Sequence, residues 1–458
     1  MKKFFFLSLL LAGAVSAFAQ EPVITDTTKM TNAMFGANYY RVNYLYQSVA
    51  PDGVTPVTLS SAMVFPAKVF ERTESTVIGD KEYGASGLLL HNRITMTRNS
   101  DAPTLAEDMS IEGIVAAMGP KSIIISPDGY GFGASADKPQ AYLLADATAR
   151  NSIDAVKAAR KLLGQMGYTY GNLFCQMGYS QGGFSTMAVQ RYFDTKGADP
   201  DAIPHIDYTL CGAGPYDMAA MLDSVSLPGT TYTNPCALAL IAQGQIEGAG
   251  IDIKASDLMR SPLDTKSFEW LNSKALTTDE LNDSIFAVVG GDARNGVPVS
   301  DVLCTENFKS SALAPFVEAL EENSLVSGWK PNDKTLFYLY HSGADEVVGY
   351  YNTEHMVDFL QNEGGVGDDR LKVVKGYNTH VSTAPVFVLG AISELLTLEK
   401  KYKNGEYVPE EFSSSSIAEI QASPRHTGWY TLQGQYLQAK PTAAGIYIHD
   451  GRKVAIGQ

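Results

Sequence analysis

The segment FCQMGYSQGGFS, residues 174–185, decides the fold class of this 458-residue chain. Ser180 stands between Gly178 and Gly182 in the pattern G-x-S-x-G, which is typical of a nucleophilic serine on a sharp strand-to-helix turn. The chain contains 41 glycines, so the pattern could also arise by chance. The flanking sequence must therefore supply an incoming strand, an outgoing helix and catalytic partners in the right order.

The residues on each side of Ser180 fit a strand followed by a helix. NLFCQMG (172–178) is a short apolar run that predicts a buried strand, and QGGFSTMAVQRYF (181–193) predicts a helix. Bulky side chains at the two flanking glycines would collide with the strand and the helix. The Gln181 amide opens the helix, where a developing oxyanion is stabilised by both the N–H and the helix dipole.

The rest of the chain predicts an α/β fold with a mostly parallel sheet. Residues 41–66 read as a hairpin around Pro51-Asp52-Gly53. Short apolar runs, which suit strands buried on both faces, alternate with helical patterns. These runs are GLLLH (87–91), SIIISP (122–127), NLFCQMG (172–178), YTLCGA (208–213), TLFYLYHS (335–342) and LKVVKG (371–376).

Two segments break this alternation, and both define domain boundaries. Residues 219–331 are too long for a structureless loop, so we expect a helical cap inserted in an α/β domain of residues 20–410. Residues 411–458 begin with a serine-rich linker and end in a small β appendage, with a hairpin at Asp450-Gly451.

The N-terminal residues 1–19 have the organisation of a signal peptide. Lys2 and Lys3 precede an apolar run that begins at Phe4, and Ala17-Phe18-Ala19 forms a cleavage site. The run is too short for a membrane anchor, and no later stretch qualifies. We expect an exported chain, secreted or periplasmic, without stable membrane insertion.

Composition restricts the partners further. Without Lys2 and Lys3 the chain has 33 Lys and Arg against 50 Asp and Glu, a formal charge of −17, which excludes nucleic acid as a partner. No cysteine or histidine spacing suggests a metal site. Of the four cysteines, Cys175 and Cys211 lie in apolar strand-like runs, so Cys236 and Cys304 are the better candidates for a disulfide in an oxidising compartment.

Chain order selects the partners of Ser180 from the acids and the seven histidines. In folds of this type the order is serine, acid, histidine. Order or position removes His91, His205, His341, His355, His426 and His449. His380 remains, in a loop between a predicted strand and the last predicted helix. Asp345 follows a predicted strand and precedes His380 by 35 residues. The neighbouring Glu346 stays open as the acid, and Asp345 could instead cap a helix.

The remaining site candidates lie in the loops after two other strands. The loop after GLLLH would provide the second oxyanion donor, from the Arg93 amide or else from Asn92, while His91 is expected to hold the loop. The segment PDGYGFG (127–133) reads mainly as loop architecture, with Tyr130 a candidate substrate contact. Tyr179, next to the serine, is a second one.

With these residues the chain resembles the α/β-hydrolases, and within them the secretory lipase and esterase branch. The resemblance spans roughly residues 35–400 and rests on the hairpin, SPDGYGFGAS (126–135), GYSQGG (178–183) and the inserted cap. It implies hydrolysis of a small carboxylic ester through an acyl-enzyme, with no cofactor: Ser180 attacks, His380 transfers the proton and Asp345 orients it. Asn92 replaces the glycine that often follows the histidine of the oxyanion loop.

The C-terminal segment resembles the sorting tails of the type IX secretion route, on YTLQG (430–434) and GIYIHDGRKV (445–454). That resemblance implies contact with secretion machinery and possible cell-surface display, against the alternative of a β appendage packed on the enzyme. Two other functions stay open. One is a serine peptidase of the same fold, although no propeller-like repeat is present. The other is a non-catalytic binding protein on a hydrolase scaffold.

Overall fold

A computed structural model describes residues 21–409, 429–430, 436–437, 440–441, 445–449 and 452–456. The predicted signal peptide (1–19) and the serine-rich part of the linker (413–416) lie outside the described residues. The chain divides into two compact units, Met1–Glu410 and Glu411–Gln458.

The first unit contains thirteen strands within its described residues. They are β1 (Val23–Thr31), β2 (Asn38–Val49), β3 (Pro56–Pro66), β4 (Thr76–Ile78), β5 (Lys81–Tyr83), β6 (Ala85–Asn92), β7 (Ser122–Pro127), β8 (Tyr170–Tyr179), β9 (Tyr208–Gly212), β10 (Thr231–Tyr232), β11 (Val297–Pro298), β12 (Leu336–Ser342) and β13 (Leu371–Gly376).

The helices of the same unit are α1 (Ala67–Phe70), α2 (Ser110–Met118), α3 (Ala145–Gln165), α4 (Gln181–Lys196), α5 (Met218–Val225), α6 (Cys236–Gln243), α7 (Ala255–Leu258), α8 (Leu263–Ser273), α9 (Thr278–Val289), α10 (Val299–Val302), α11 (Ala314–Asn323), α12 (Tyr351–Asp358) and α13 (His380–Lys403). Short π-helical turns follow α6 (Gly244–Gly248) and α12 (Phe359–Glu363), and 3₁₀ turns occur at Asn99–Asp101, Gly133–Ser135, Thr305–Asn307 and Ser311–Leu313.

Nine strands form one mixed sheet in the order β1-β2-β3-β7-β6-β8-β9-β12-β13. The first four pair antiparallel, and the strands from β7 to β13 pair parallel. Every residue of β6, β7 and β9 is buried, as their continuous apolar runs predict. The predicted α/β class with a mostly parallel sheet is therefore confirmed.

The hairpin predicted around Pro51-Asp52-Gly53 is formed by β2 and β3. In the β2–β3 turn, the Asp52 carboxylate accepts hydrogen bonds from the amides of Val54 and Thr55, and Gly53 adopts a positive φ of 76°.

The edge strand β13 is half exposed, although LKVVKG reads as a strand buried on both faces. Because β13 lies at the sheet edge and pairs only with β12, one side of it has no neighbouring strand.

Helices cover both faces of the sheet, and successive residues of one strand face opposite layers. In β6, Leu88 and Leu90 pack in the cluster that contains α3, whereas Leu89 packs in the cluster that contains α13. Among the described helices, α13 alone is long and apolar enough to cross a membrane. Its residues Phe387 and Ala391 are fully buried against the sheet, so it packs as a core helix.

Between β9 and β12 the chain is mainly helical, from α5 to α11, with the small antiparallel pair β10–β11. This segment shares one core cluster with α4, β9 and β12, and its own members of that cluster include Leu263, Leu281, Ile285 and Val302. A single Thr277 capping box, closed by Glu280, starts α9.

The expected disulfide is wrong, because all four cysteines are free and buried. Cys236 opens α6 and its thiol bonds to the Asn234 side chain, whereas the Cys304 thiol faces the Ser256 carbonyl oxygen. Both thiols are turned to partners of their own, and membership of the same irregular sequence region does not fix the distance between them.

The second unit holds a small antiparallel sheet of strands β14 (Trp429–Tyr430), β15 (Tyr436–Leu437), β16 (Gly445–His449) and β17 (Arg452–Ile456). Their order is β15-β14-β16-β17, and His449 pairs with Arg452 at the tip of the last hairpin. The C-terminal β appendage expected from the sequence is therefore present.

Candidate active site

Ser180 sits on a strained turn between β8 and α4, with φ 58° and ψ −122°. A positive φ is costly for a residue other than glycine and is maintained only where the surroundings enforce it. A Cβ at Gly178 would lie 2.2 Å from the Gly182 carbonyl oxygen, and a Cβ at Gly182 would lie 2.2 Å from that of Asn92. Both glycines are thus needed for the turn to close.

The side chains of Ser180, His380 and Asp345 form one continuous hydrogen-bonded chain. The hydroxyl oxygen of Ser180 lies 2.8 Å from Nε2 of His380, and Nδ1 of His380 lies 2.6 Å from Oδ2 of Asp345. The three residues come from the turn after β8, the start of α13 and the loop after β12. They converge at the carboxyl ends of neighbouring parallel strands, where α/β sheets bind ligands.

Asp345 is held as an ionised carboxylate. Its other oxygen accepts the amides of Val347 at 2.9 Å and Val348 at 2.7 Å. Burial opposes ionisation, but hydrogen bonds from His341 and His380 outweigh it and keep the pKa of Asp345 well below its usual range. Asp345 does not cap a helix, because α12 begins at Tyr351 and has no side-chain cap; one carboxylate oxygen holds the loop, while the other faces the imidazole.

Glu346, the alternative acid, makes a different contact. Its carboxylate accepts the backbone N–H of His380 at 3.0 Å, and it is Asp345 that bonds the imidazole. Glu346 therefore fixes the first turn of α13 instead of the imidazole.

His341 is a site residue that sequence reasoning missed. It is fully buried, and its Nε2 lies 3.3 Å from Oδ2 of Asp345 and 2.9 Å from the Val348 carbonyl oxygen. Its Nδ1 lies 2.7 Å from the Thr353 hydroxyl. Chain order excluded it as the base, but its position four residues before Asp345, at the end of β12, was the available signal for a contact with the acid.

Tyr179 positions His380 through a hydrogen bond to its backbone. Its phenol donates a 2.6 Å hydrogen bond to the His380 carbonyl oxygen, and its side chain is buried. Tyr179 also lines the same cavity as Ser180, so the position predicted for substrate contact has a positioning contact as well.

The oxyanion candidates lie side by side around the start of α4. Within the described residues, neither the Gln181 nor the Arg93 amide N–H has a hydrogen-bond partner. The Asn92 side chain is occupied, because it donates to Thr186 and accepts from Ser152. This arrangement favours the backbone amides of Gln181 and Arg93 as the pair that could receive a negative oxygen.

A buried charge network anchors the Arg93 loop. The Glu112 carboxylate, on α2, accepts from Ser126 at 2.8 Å and contacts His91 Nδ1 at 2.9 Å, with Arg93 Nε at 3.7 Å. Burial raises the pKa of Glu112, but Arg93 and His91 outweigh burial and hold it well below its usual range. His91 therefore has the loop-holding contact expected of it.

The 127–133 loop forms a separate small cavity. Tyr130 lines a space of about 70 Å³ together with Arg93, Asp128 and Gln181, and Ile94 lines both this space and the cavity that contains Ser180. Asp128 accepts from Ser60 at 2.5 Å and from the Thr104 hydroxyl at 2.6 Å, which ties the loop together. Tyr130 thus lies beside the oxyanion candidates and does not line the cavity that contains Ser180.

The serine cavity, defined as the space lined by Ser180 and His380, has a volume of about 670 Å³. That size is typical of small-molecule sites. One part is apolar, with Tyr142, Leu143, Ala237, Leu240, Ile241 and Phe286. The polar lining includes Thr233, Asn234, Asp279, Asn282, Asp283 and Arg294. No group of metal-ligating side chains occurs in the described part of the chain.

Comparison with known proteins places the fold in a class. No protein-family model and no curated protein matches the chain. Solved structures do match, among them a Legionella pneumophila protein assigned as a hydrolase, at 18% identity, TM-score 0.63, 84% of this chain and 100% of that one. The rice cell wall degrading esterase LipA from Xanthomonas oryzae matches at 19% identity, TM-score 0.61, 84% of this chain and 99% of that one.

Candida antarctica lipase A is similar as well, at 13% identity and a TM-score of 0.56, over 85% of this chain and 83% of that one. At these identities the likeness shows the fold. The chain has the α/β-hydrolase fold, in the form that these esterases and lipases also have.

Proposed function

We propose that this protein is an exported serine carboxylesterase. The observation that carries the proposal is the chain of two hydrogen bonds, of 2.8 Å and 2.6 Å, that joins Ser180 to Asp345 through His380. A serine hydroxyl is a poor nucleophile, and it needs a base whose tautomer is fixed by an acid. The esterase and lipase names of the structural neighbours support ester hydrolysis as the reaction.

In the proposed reaction, His380 takes the Ser180 proton while the hydroxyl oxygen attacks the ester carbonyl. The oxyanion of the tetrahedral intermediate is received by the Gln181 and Arg93 amides. His380 then gives its proton to the alkoxide, the alcohol leaves, and the acyl group stays on Ser180. A water, deprotonated by His380, attacks this ester, and His380 returns the proton to the Ser180 oxygen as the acid leaves. Asp345 stays ionised throughout and stabilises the imidazolium.

The decisive experiment compares Ser180→Ala with the wild type on p-nitrophenyl acetate and butyrate. We expect kcat to fall by about 10⁴-fold or more, because the nucleophile is removed. A phosphonate ester should label the wild type once, at Ser180. Equal turnover by the variant, or a label elsewhere, would contradict the proposal and favour a binding protein on a hydrolase scaffold.

A serine peptidase is the second candidate, since the same three residues would cleave amides. Aminoacyl anilides distinguish the two functions. Their Ser180-dependent cleavage at a higher kcat/KM than butyrate esters would move the assignment to a peptidase.

Export is a further part of the proposal, and it rests on the sequence of residues 1–19. Processing after Ala19 would leave Gln20 as the first residue of the mature protein. N-terminal sequencing of the protein recovered outside the cytoplasm tests this, and a retained Met1 there would contradict it.

Removing residues 411–458 tests the proposed sorting tail, because the shortened protein should then stay in the periplasm.

A further inference from the structure

A second cavity lies beside the serine cavity, between the cap helices and the loop after β12. This side chamber has a volume of about 230 Å³. Asp345 and Glu346 line one part of it, but its walls are mainly apolar, and they include Met218, Leu222, Val225, Leu238, Leu303 and Phe316. None of these six side chains lines the serine cavity.

One thin wall separates the two cavities. Six residues line both cavities and form the partition: Met221, Tyr232, Ala237, Ile241, Glu346 and Val347. Tyr232 is the largest side chain among them. Its phenol donates a 2.9 Å hydrogen bond to the Val347 carbonyl oxygen, which ties the cap strand β10 to the loop that carries Asp345. The aromatic ring of Tyr232 is therefore a large part of the partition, and this hydrogen bond holds it.

The chamber is a partly open pocket with mainly apolar walls. Pockets lined by hydrophobic side chains bind the apolar parts of small molecules, because burial removes apolar surface from water. The chamber is thus matched to an alkyl group, and its position behind the partition makes that group an extension of whatever occupies the serine cavity.

We propose that the side chamber is a distal subsite for long acyl chains and that Tyr232 sets the chain length at which it is used. The inference rests on the proposed esterase function. An ester with its carbonyl at Ser180 fills the serine cavity first with its short acyl portion. A longer chain must displace the Tyr232 ring, which breaks its hydrogen bond to Val347 and its packing against the core, and the terminal methylenes of the chain then enter the chamber. An alkyl chain on the alcohol side is the competing occupant.

The experiment uses three variants of the full-length protein. Val225→Trp fills the chamber, since Val225 lines it and does not line the serine cavity. Tyr232→Ala opens the partition. Leu227→Trp is the matched control, because Leu227 lies just after α5, is 64% exposed and lines neither cavity. Each is measured on p-nitrophenyl esters from acetyl to hexadecanoyl, and on acetates of alcohols from ethanol to hexadecanol.

Burial of one methylene is worth roughly a fourfold change in binding, so losing two or more from the chamber should cost at least tenfold. We expect Val225→Trp to lower kcat/KM by that factor for the longest acyl chains and by less than twofold for acetyl and butyryl. Tyr232→Ala should raise the ratio of long-chain to short-chain kcat/KM. Leu227→Trp should leave the whole profile unchanged.

Three results would overturn the inference. The first is an unchanged long-chain profile in Val225→Trp, and the second is an unchanged long-to-short ratio in Tyr232→Ala, which decides the matter if Val225→Trp fails to fold. The third is a selective loss on long-chain alcohols, which would give the chamber to the alcohol. In each case the protein would still turn over short esters in a Ser180-dependent manner. If the esterase proposal itself is wrong, no Ser180-dependent turnover should be seen at any chain length.

Discussion

At the scale of single residues, the charge of Asp345 is shared between two histidines. His380 donates one hydrogen bond to the carboxylate, and His341 approaches the same oxygen, Oδ2, at 3.3 Å. A second donor at that place reduces the charge that the carboxylate presents to His380. It also restricts the carboxylate to one orientation, which is the condition for an aligned base.

His341→Phe removes this donor while nearly keeping the volume. We expect kcat/KM for p-nitrophenyl butyrate to fall by roughly 10- to 100-fold, the worth of a hydrogen bond to a charged group. The acid limb of its pH profile should move to higher pH, because an unshared carboxylate stabilises the imidazolium more strongly. His341→Gln, which keeps an amide donor, is the control and should retain the wild-type limb. A reduced rate with an unmoved limb would indicate a packing role only.

Tyr179→Phe tests the positioning contact on the other side of the histidine. Without the phenol, the His380 carbonyl oxygen loses a 2.6 Å hydrogen bond, at a cost of about 1 kcal/mol. We expect kcat to fall about fivefold with KM unchanged. Tyr142→Phe is the control, since Tyr142 lines the same cavity but bonds to Thr95. A rise in KM for Tyr179→Phe, with kcat intact, would make it a substrate contact instead.

Residue-scale prediction from sequence succeeded where chain order constrains the answer. Ser180, Asp345 and His380 follow from the order of strand ends, and the structure places them within hydrogen-bonding distance. The contacts of His341 and Tyr179 depend on which side chain faces which across the sheet, and order carries no such information. Tyr130 lies in a separate cavity for the same reason.

At the scale of elements, the turn after β8 fixes α4 against the oxyanion loop. A Cβ at Gly182 would stand 2.2 Å from the Asn92 carbonyl oxygen and 2.8 Å from that of Arg93. Both are backbone atoms, so relief requires the loop or the helix to move. Either movement separates the Gln181 and Arg93 amides, which the proposed mechanism needs together.

Gly182→Ala should therefore lower kcat by at least 100-fold, as loss of an oxyanion donor does, with a reduced melting temperature. Gly164→Ala is the matched control. Gly164 lies within α3, and a Cβ there has no atom within 4 Å. That change should stabilise the fold by about 0.5–1 kcal/mol, because alanine favours the helix. Wild-type activity in Gly182→Ala would show that the loop can retreat without harm.

Hydrophobic pattern predicted the elements well where both faces of a strand are buried, as in β6 and β7. It failed for β13, since an apolar run does not reveal that a strand has a neighbour on one side only. The pairing of Cys236 with Cys304 failed likewise, because packing in the cap turns the two thiols to other partners. Position within an inserted segment is set by tertiary packing, which local pattern does not encode.

At the scale of the whole molecule, buried carboxyl groups make stability depend on pH in two directions. Burial raises the pKa of Asp128 and Asp194 to about 6. The folded state then binds their protons before the unfolded state does, so their contribution to stability falls as pH rises from about 4 to 6. Glu112 and Asp345 have lowered pKa values, and their contribution has the opposite sign.

The contributions of these two pairs of carboxyl groups to stability can be distinguished, because they change over different pH ranges. Below about pH 4, Asp128 and Asp194 are protonated in both states and contribute no slope. Unfolded Glu titrates near pH 4.3, and folded Glu112 stays ionised well below that. Between the pKa of unfolded Glu and the lower pKa of folded Glu112, the unfolded state binds more protons than the folded state. The free energy of unfolding therefore decreases as pH falls through this range.

Glu112→Gln should flatten that acid limb. The amide keeps an oxygen to accept from Ser126 and His91 but loses the charge that Arg93 and His91 stabilise. We expect a loss of roughly 1–3 kcal/mol in the free energy of unfolding at pH 7, and a smaller difference from the wild type near pH 2. Urea unfolding at both pH values measures this. Glu74→Gln is the control, since Glu74 pairs with Lys68 and Lys121 at the surface, where solvent screens the charges.

The comparison also tests how the oxyanion loop is built. If the free energies of unfolding of Glu112→Gln and the wild type differ by the same amount from pH 7 to pH 2, the charge of Glu112 does not stabilise the loop that contains Arg93. If the two free energies converge at low pH, the kcat of Glu112→Gln at pH 7 should be lower than that of the wild type, because the Arg93 amide is then held less firmly. Stability and catalysis are thus expected to change together through one buried carboxylate behind the site.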